Sequence, residues 1–128
     1  EGYLTPWEAF EATWLRKALE EQKHLQPYFH GDFYPLLSYT LADDAWAAWQ
    51  FDRPDLGEGM VLAFRRQRSP FGEMTAQLRG LEAEAEYGVR DLDAGTTQRL
   101  GGRELGTQGI RLAVDGQPGS ALLVYKRL

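Results

Sequence analysis

Residues 45–67 read AWAAWQFDRPDLGEGMVLAFRRQ, and the period of that stretch decides the fold. Ala45 to Arg53 reads as a strand, alternating apolar and polar from Trp49 to Asp52, until Pro54 stops it. Pro54-Asp55-Leu56-Gly57 is turn chemistry, and Glu58 to Gln67 reads as the next strand. Trp46 and Trp49 are three apart, so on a strand they point to opposite faces. One of them is expected in the core. The other is expected on the outer surface or beneath a covering helix.

Downstream the same period continues. Met74, Ala76 and Leu78 alternate with Thr75, Gln77 and Arg79, and Ile110, Leu112 and Val114 are expected to face inward. Glu86 to Asp93 and Thr96 to Leu100 read as two strands around the turn Asp93-Ala94-Gly95. Ser120 to Leu128 opens with an unbroken apolar run, as a central strand buried on both faces would. Between Gly101 and Gly109 no strand is expected, and Leu105 is expected to plug the core there. Turns every eight to twelve residues predict a mainly β, antiparallel sandwich or barrel.

Upstream the period changes to that of a helix. Thr5-Pro6-Trp7-Glu8 offers an N-cap, a proline suited to the first helical position and a capping-box glutamate. Trp7, Phe10, Trp14 and Ala18, widened by Leu15 and Leu19, form an apolar stripe on a helix running to about Lys23. So broad an aromatic face demands a surface to bury it, either the sandwich or a neighbouring domain. Between helix and strands lies YFHGDFYPLLSY, Tyr28 to Tyr39, with five rings and one acidic side chain, Asp32. The stretch reads either as a sugar-binding or catalytic loop or as a hydrophobic joint.

Composition narrows the functional classes. At 128 residues the chain is one domain in size, and its net charge of −5 leaves no basic stripe for nucleic acid. No apolar run approaches the roughly 20 residues that span a bilayer, and no signal sequence stands at the front. The absence of cysteine, with no signal sequence, agrees with a cytoplasmic setting. His24 and His30, the only histidines, are parted by Pro27 and make a poor start for a metal centre or a triad, so no cofactor is expected. The chain opens at Glu1 without a methionine, as a processed chain or a piece of a longer one would.

Candidate chemistry is sparse. Asp43, Asp44, Asp52, Asp55 and Glu58 form an acidic patch around one hairpin, which reads as a solvated turn rather than a catalytic pair. Arg65, Arg66 and Arg68 beside Ser69-Pro70 read as an exposed strand end. No nucleophile, phosphate-loop or dinucleotide motif occurs. Trp46 or Trp49, if exposed, would make a platform for the C–H face of a sugar, although a strand tryptophan belongs more often to the core.

The segments GDFYPLLSYT, WQFDRPDLGEGMVLAFRRQRSP, LRGLEAEAEYGVRDLDAGTT, GRELGTQGIRLAV and PGSALLVYKR, in this order, resemble the C-terminal region of bacterial α-galactosidases of glycoside hydrolase family 36. The resemblance implies an antiparallel Greek-key β-sandwich preceded by one amphipathic α-helix. Residues 1–27 would then carry the last helix of a catalytic β/α barrel, 28–44 an aromatic joint, and 45–128 the C-terminal sandwich. Trp7, Phe10, Trp14, Asp32, Phe33 and Tyr34 would line the joint between barrel and sandwich. The family's two catalytic aspartates sit on barrel strands, so no catalytic residue carries over to this chain. The implied partner is the barrel of the same polypeptide. A carbohydrate-binding module that takes galactosides, and an oligomerisation domain that pairs copies through the helix stripe, are the rival readings.

Overall fold

The computed structural model describes residues 13–14, 16–17, 20, 23–36, 45–66, 68–116 and 119–128. Trp7, Phe10, Asp43, Asp44 and the proposed helix start at Thr5 lie outside the described residues, as do Leu37 to Tyr39 of the aromatic stretch. Within the expected first helix, Thr13, Trp14, Arg16, Lys17 and Glu20 are helical.

Among the described residues, eight strands and two short helical elements follow. A 3-10 helix, Lys23–His30, leads into β1 (Asp32–Pro35), β2 (Trp46–Arg53), β3 (Glu58–Arg65), β4 (Glu73–Ala76), β5 (Glu86–Asp91) and β6 (Thr97–Gly101). A one-turn helix, α1 (Gly102–Thr107), precedes β7 (Ile110–Ala113) and β8 (Gly119–Arg127). Six strands form one antiparallel sheet in the order β1-β2-β3-β8-β5-β6, and β4 pairs with β7 in a second, two-stranded sheet. The hairpin expected from residues 45–67 is present, with Trp46 opposite Arg65 and Arg53 opposite Glu58.

The large sheet is covered on both faces, and strand parity decides which side chains go where. On one face Trp46, Ala48, Val61, Ala63, Val89, Ala121, Leu123 and Tyr125 meet Ala76, Ile110 and Leu112 of the small sheet. Leu105 on α1, fully buried, and Leu78 close the end of this core. On the other face Met60, Leu62 and Leu122 pack under Leu25 and Tyr28 of the 3-10 helix, flanked by Trp49, Phe51 and Val124. Trp14 joins this second core, edge-on to Phe64 with ring centroids 5.1 Å apart. β3 and β8 are therefore central strands with two dry sides, which is why Val61-Leu62-Ala63-Phe64 and Ala121-Leu122-Leu123-Val124 are apolar without alternation. Burying each such side chain contributes about 1.5–3 kcal/mol before chain entropy is subtracted.

Two features depart from the sequence reading. Asp32–Pro35, taken there as part of a joint, adds an edge strand to the large sheet by pairing with β2. Four residues are too few to display a period, and Pro35 blunts the free edge. Residues 101–109, expected only as a non-strand connection, contain α1; it docks by Gly102 N–H to Ala85 O (2.8 Å) and Arg103 N–H to Ala83 O (3.2 Å).

Candidate functional site

Polar groups that the core has swallowed mark where this domain departs from simple packing. Among the described residues Gln50, Asp52, Arg65, Arg66 and Ser69 are the buried polar or charged ones. Gln50 and Asp52 share the parity of Trp46 and Ala48, so β2 delivers an amide and a carboxylate into the same face as its core residues.

Asp52, Gly59 and Tyr125 stand in one row across β2, β3 and β8. The Tyr125 phenol lies flat over Gly59, where a Cβ would sit 2.2 Å from the hydroxyl oxygen, and so reaches the strand beyond. Its hydroxyl donates to Asp52 Oδ1 at 2.6 Å and accepts from Gln50 Nε2 at 2.8 Å. Gln50 also donates to Arg79 O and accepts from Arg79 N–H through Oε1, both at 2.8 Å. The amide therefore fixes the chain between Leu78 and Gly80 to the sheet. Gly80, at φ 75°, presses against Asp52: a Cβ there would lie 2.9 Å from Oδ2.

Electrostatics follow from burial. Desolvation lifts the Asp52 carboxyl above its usual range; the Tyr125 hydrogen bond opposes the rise, while Asp32 and Asp55 reinforce it. Burial, and then the Asp52 carboxylate, push the Tyr125 hydroxyl far above an ordinary phenol. Tyr125 is thus locked as a donor. A glycosidase needs two carboxyl groups about 5–10 Å apart across a space that admits a sugar. Asp52 is the one buried carboxylate among the described residues, and its neighbour across the hydrogen bond is a phenol.

A second buried group serves the opposite end of the sandwich. Arg65, read from sequence as an exposed strand end, is 8% exposed and Arg66 is 1% exposed. Arg65 Nε and Nη2 donate to Ser69 O at 3.2 and 3.0 Å, and Nη1 donates to Val114 O at 2.8 Å. One guanidinium therefore holds two loops together.

The sequence candidates fall apart spatially. Trp46 is in the first core, and its indole Nε1–H donates to Phe71 O at 2.9 Å. Trp49 is half-buried on the second face, 5.8 Å from the Phe64 ring. Phe33, 52% exposed, stacks at 5.1 Å on Phe51, which also meets Phe29 at 4.5 Å. Tyr34 is half-buried near Gly80. Asp32 is exposed, opposite Asp52 in the register, and it is Asp52 that sits within the buried network. The solvated reading of the acidic hairpin holds for Asp55, which pairs with Arg53 at 2.8 Å, and fails for Asp52. Arg53 also donates to Pro27 O at 2.8 Å, and Tyr28 donates to Glu58 at 2.8 Å, tying the 3-10 helix to that hairpin. Burial and the Glu58 carboxylate push the Tyr28 hydroxyl up to about 12. Parity along WQFD was the available signal for Gln50 and Asp52; nothing local announced Arg65. Among the described residues no cluster of three or more His, Cys, Asp or Glu side chains could hold a metal ion.

Residues 46–125 match the family described as the glycosyl hydrolase family 36 C-terminal domain. The fold is similar to the GH36 α-galactosidase AgaA from Geobacillus stearothermophilus, at 25% identity and a TM-score of 0.67, over 98% of this chain and 16% of that one. It is also similar to the α-galactosidase from Lactobacillus brevis, at 19% identity and a TM-score of 0.66, over 98% of this chain and 17% of that one. The galactosidase domain of the α-galactosidase-sucrose kinase AgaSK aligns over 98% of this chain and 17% of its own, with 20% identity and a TM-score of 0.65. No curated protein matches the sequence. The chain thus spans about a sixth of the length of its solved relatives.

Proposed function

Because this chain belongs to the family of glycosyl hydrolase family 36 C-terminal domains, we propose that it buttresses the catalytic barrel of an α-galactosidase-like parent and carries no catalysis itself. The parent hydrolyses terminal α-linked galactose from oligosaccharides of the melibiose and raffinose type, and the barrel supplies both carboxylates of that reaction. The helix that contains Trp14 is the barrel's last helix, and the aromatic stretch beginning at Tyr28 lies where barrel and sandwich meet.

One observation carries the reading. The buried carboxylate of the described residues, Asp52, is committed to Tyr125 inside a tie that closes the sandwich. Of two shallow surface clefts among the described residues, one beside Phe71 and one beside Asp91 and Asp93, neither includes it. Incubation of the purified chain with raffinose tests the proposal. No galactose is released beyond the buffer control; sustained release by this chain overturns it.

A further inference from the structure

The stretch VDGQ, which starts at Val114, contains the one Asp-Gly step in a chain that has no asparagine. Asp115 and Gly116 are both exposed, in the connection from β7 to β8. Among the described residues no carbonyl accepts the Gly116 N–H. Glycine has no Cβ to keep its nitrogen away from the carboxyl carbon of the residue before it.

The main chain at this step is held from the inside. Arg65 is buried and anchored by Nε and Nη2 on Ser69 O, and its Nη1 is shared between Val114 O at 2.8 Å and Asp115 O at 3.1 Å. Asp115 O belongs to the same peptide unit as the Gly116 nitrogen. A permanent positive charge therefore rests against that carbonyl oxygen.

We propose that Asp115-Gly116 is a self-modification site that runs to an isoaspartyl linkage, with Arg65 deciding the product. The Gly116 nitrogen attacks Cγ of the protonated Asp115 carboxyl. The N–Cγ bond forms, the Cγ–OH bond breaks, and the amide proton leaves with the hydroxyl as water. The five-membered imide has two carbonyls, at Cγ and at the Asp115 main-chain carbon, and water opens it at one of them. Attack at Cγ restores the aspartate. Attack at the main-chain carbon breaks its bond to nitrogen, leaves Gly116 joined through Cγ, and turns the old main-chain carbonyl into a carboxylate. In that second opening negative charge develops on the oxygen that Arg65 already holds, and a donor fixed there stabilises it. The product gives the guanidinium a charged acceptor in place of a neutral one, which is the stronger partner. The extra methylene enters the connection between two strands and not a strand itself. None of this depends on the buttress role.

Ageing the wild-type chain for weeks in neutral buffer tests the site, and Asp115→Asn tests the direction. The asparagine reaches the same imide by losing ammonia, so both opening products can be counted. Peptide mapping by mass spectrometry with electron-transfer fragmentation tells the two linkages apart. Isoaspartate should accumulate at residue 115 of the folded wild type and at no other aspartate, and Gly116→Ala should suppress it. In folded Asp115→Asn the isoaspartyl-to-aspartyl ratio should be about fivefold or more above that of the same chain unfolded in guanidinium chloride. Adding Arg65→Gln should return the ratio to the unfolded value; if that double variant does not fold, the folded and unfolded single variant still decide. No isoaspartate at residue 115, equal ratios in folded and unfolded chains, or an undiminished ratio in a folded Arg65→Gln chain each overturns the proposal.

Discussion

Replacing Tyr125 with Phe removes one oxygen and isolates the role of the buried tie. The ring still fills the space over Gly59, so packing is nearly unchanged. Asp52 loses the donor at 2.6 Å, and Gln50 Nε2 keeps only Arg79 O. A hydrogen bond to a charged, buried acceptor is worth about 1.5–3 kcal/mol, so the variant should lose about 2–3 kcal/mol at neutral pH. At about 2.1 cal/mol/K of unfolding entropy per residue, 128 residues translate that into a Tm lower by roughly 7–11 °C. The loss should shrink on acidification, because protonated Asp52 no longer presents an unpaired charge. Urea unfolding followed by tryptophan fluorescence, at pH 7 and at about pH 4.5, measures both quantities. A midpoint within error of the parent at pH 7 would refute the reasoning, because the phenol would then contribute packing alone.

Three further outcomes follow from the same contacts. Asp52→Asn keeps an acceptor for Tyr125 and abolishes the buried charge. The Asp52 carboxyl is lifted in the folded state, so the wild type loses stability as pH rises from the unfolded value, about 3.9, through the folded one; the Asn variant should lack that decline and gain on the wild type toward neutral pH, as parallel urea curves would reveal. Gly59→Ala drives a methyl group to 2.2 Å from the Tyr125 hydroxyl, evicts the phenol, and should both lower Tm and speed amide exchange at Arg79, which a cavity-neutral substitution would not do. Leu105→Ala empties a fully buried position and should cost about 2–5 kcal/mol by denaturant unfolding, whereas a cost below about 1 kcal/mol would mean that α1 is no part of the core.

Much of the architecture was legible because apolar periodicity reports burial directly. Ala121-Leu122-Leu123-Val124 announced a strand with two covered faces, and β8 does lie centrally between β3 and β5. Trp46 and Trp49 diverge as their spacing requires, and Leu105 plugs the core. β1 was concealed because Asp-Phe-Tyr-Pro is too short to show a period and its rings suggested a joint. The polar tie was harder still. A carboxylate beside a turn is usually solvated, and Asp55, paired with Arg53 across Pro54, behaves so. Only parity separates Asp52 from them, and only the bare backbone at Gly59 lets a phenol from two strands away find it. Arg65 was misplaced for a related reason: its partners are the carbonyls of Ser69, Val114 and Asp115, two of them some fifty residues downstream.

Release of nitrophenol from an aryl α-galactoside by the wild-type chain, set beside the Asp52→Asn chain, tests the central claim most directly. Both should stay at the buffer rate while each unfolds cooperatively, which leaves the Asp52 carboxylate a structural tie. A wild-type rate above background that Asp52→Asn abolishes would make that carboxylate catalytic and contradict the account.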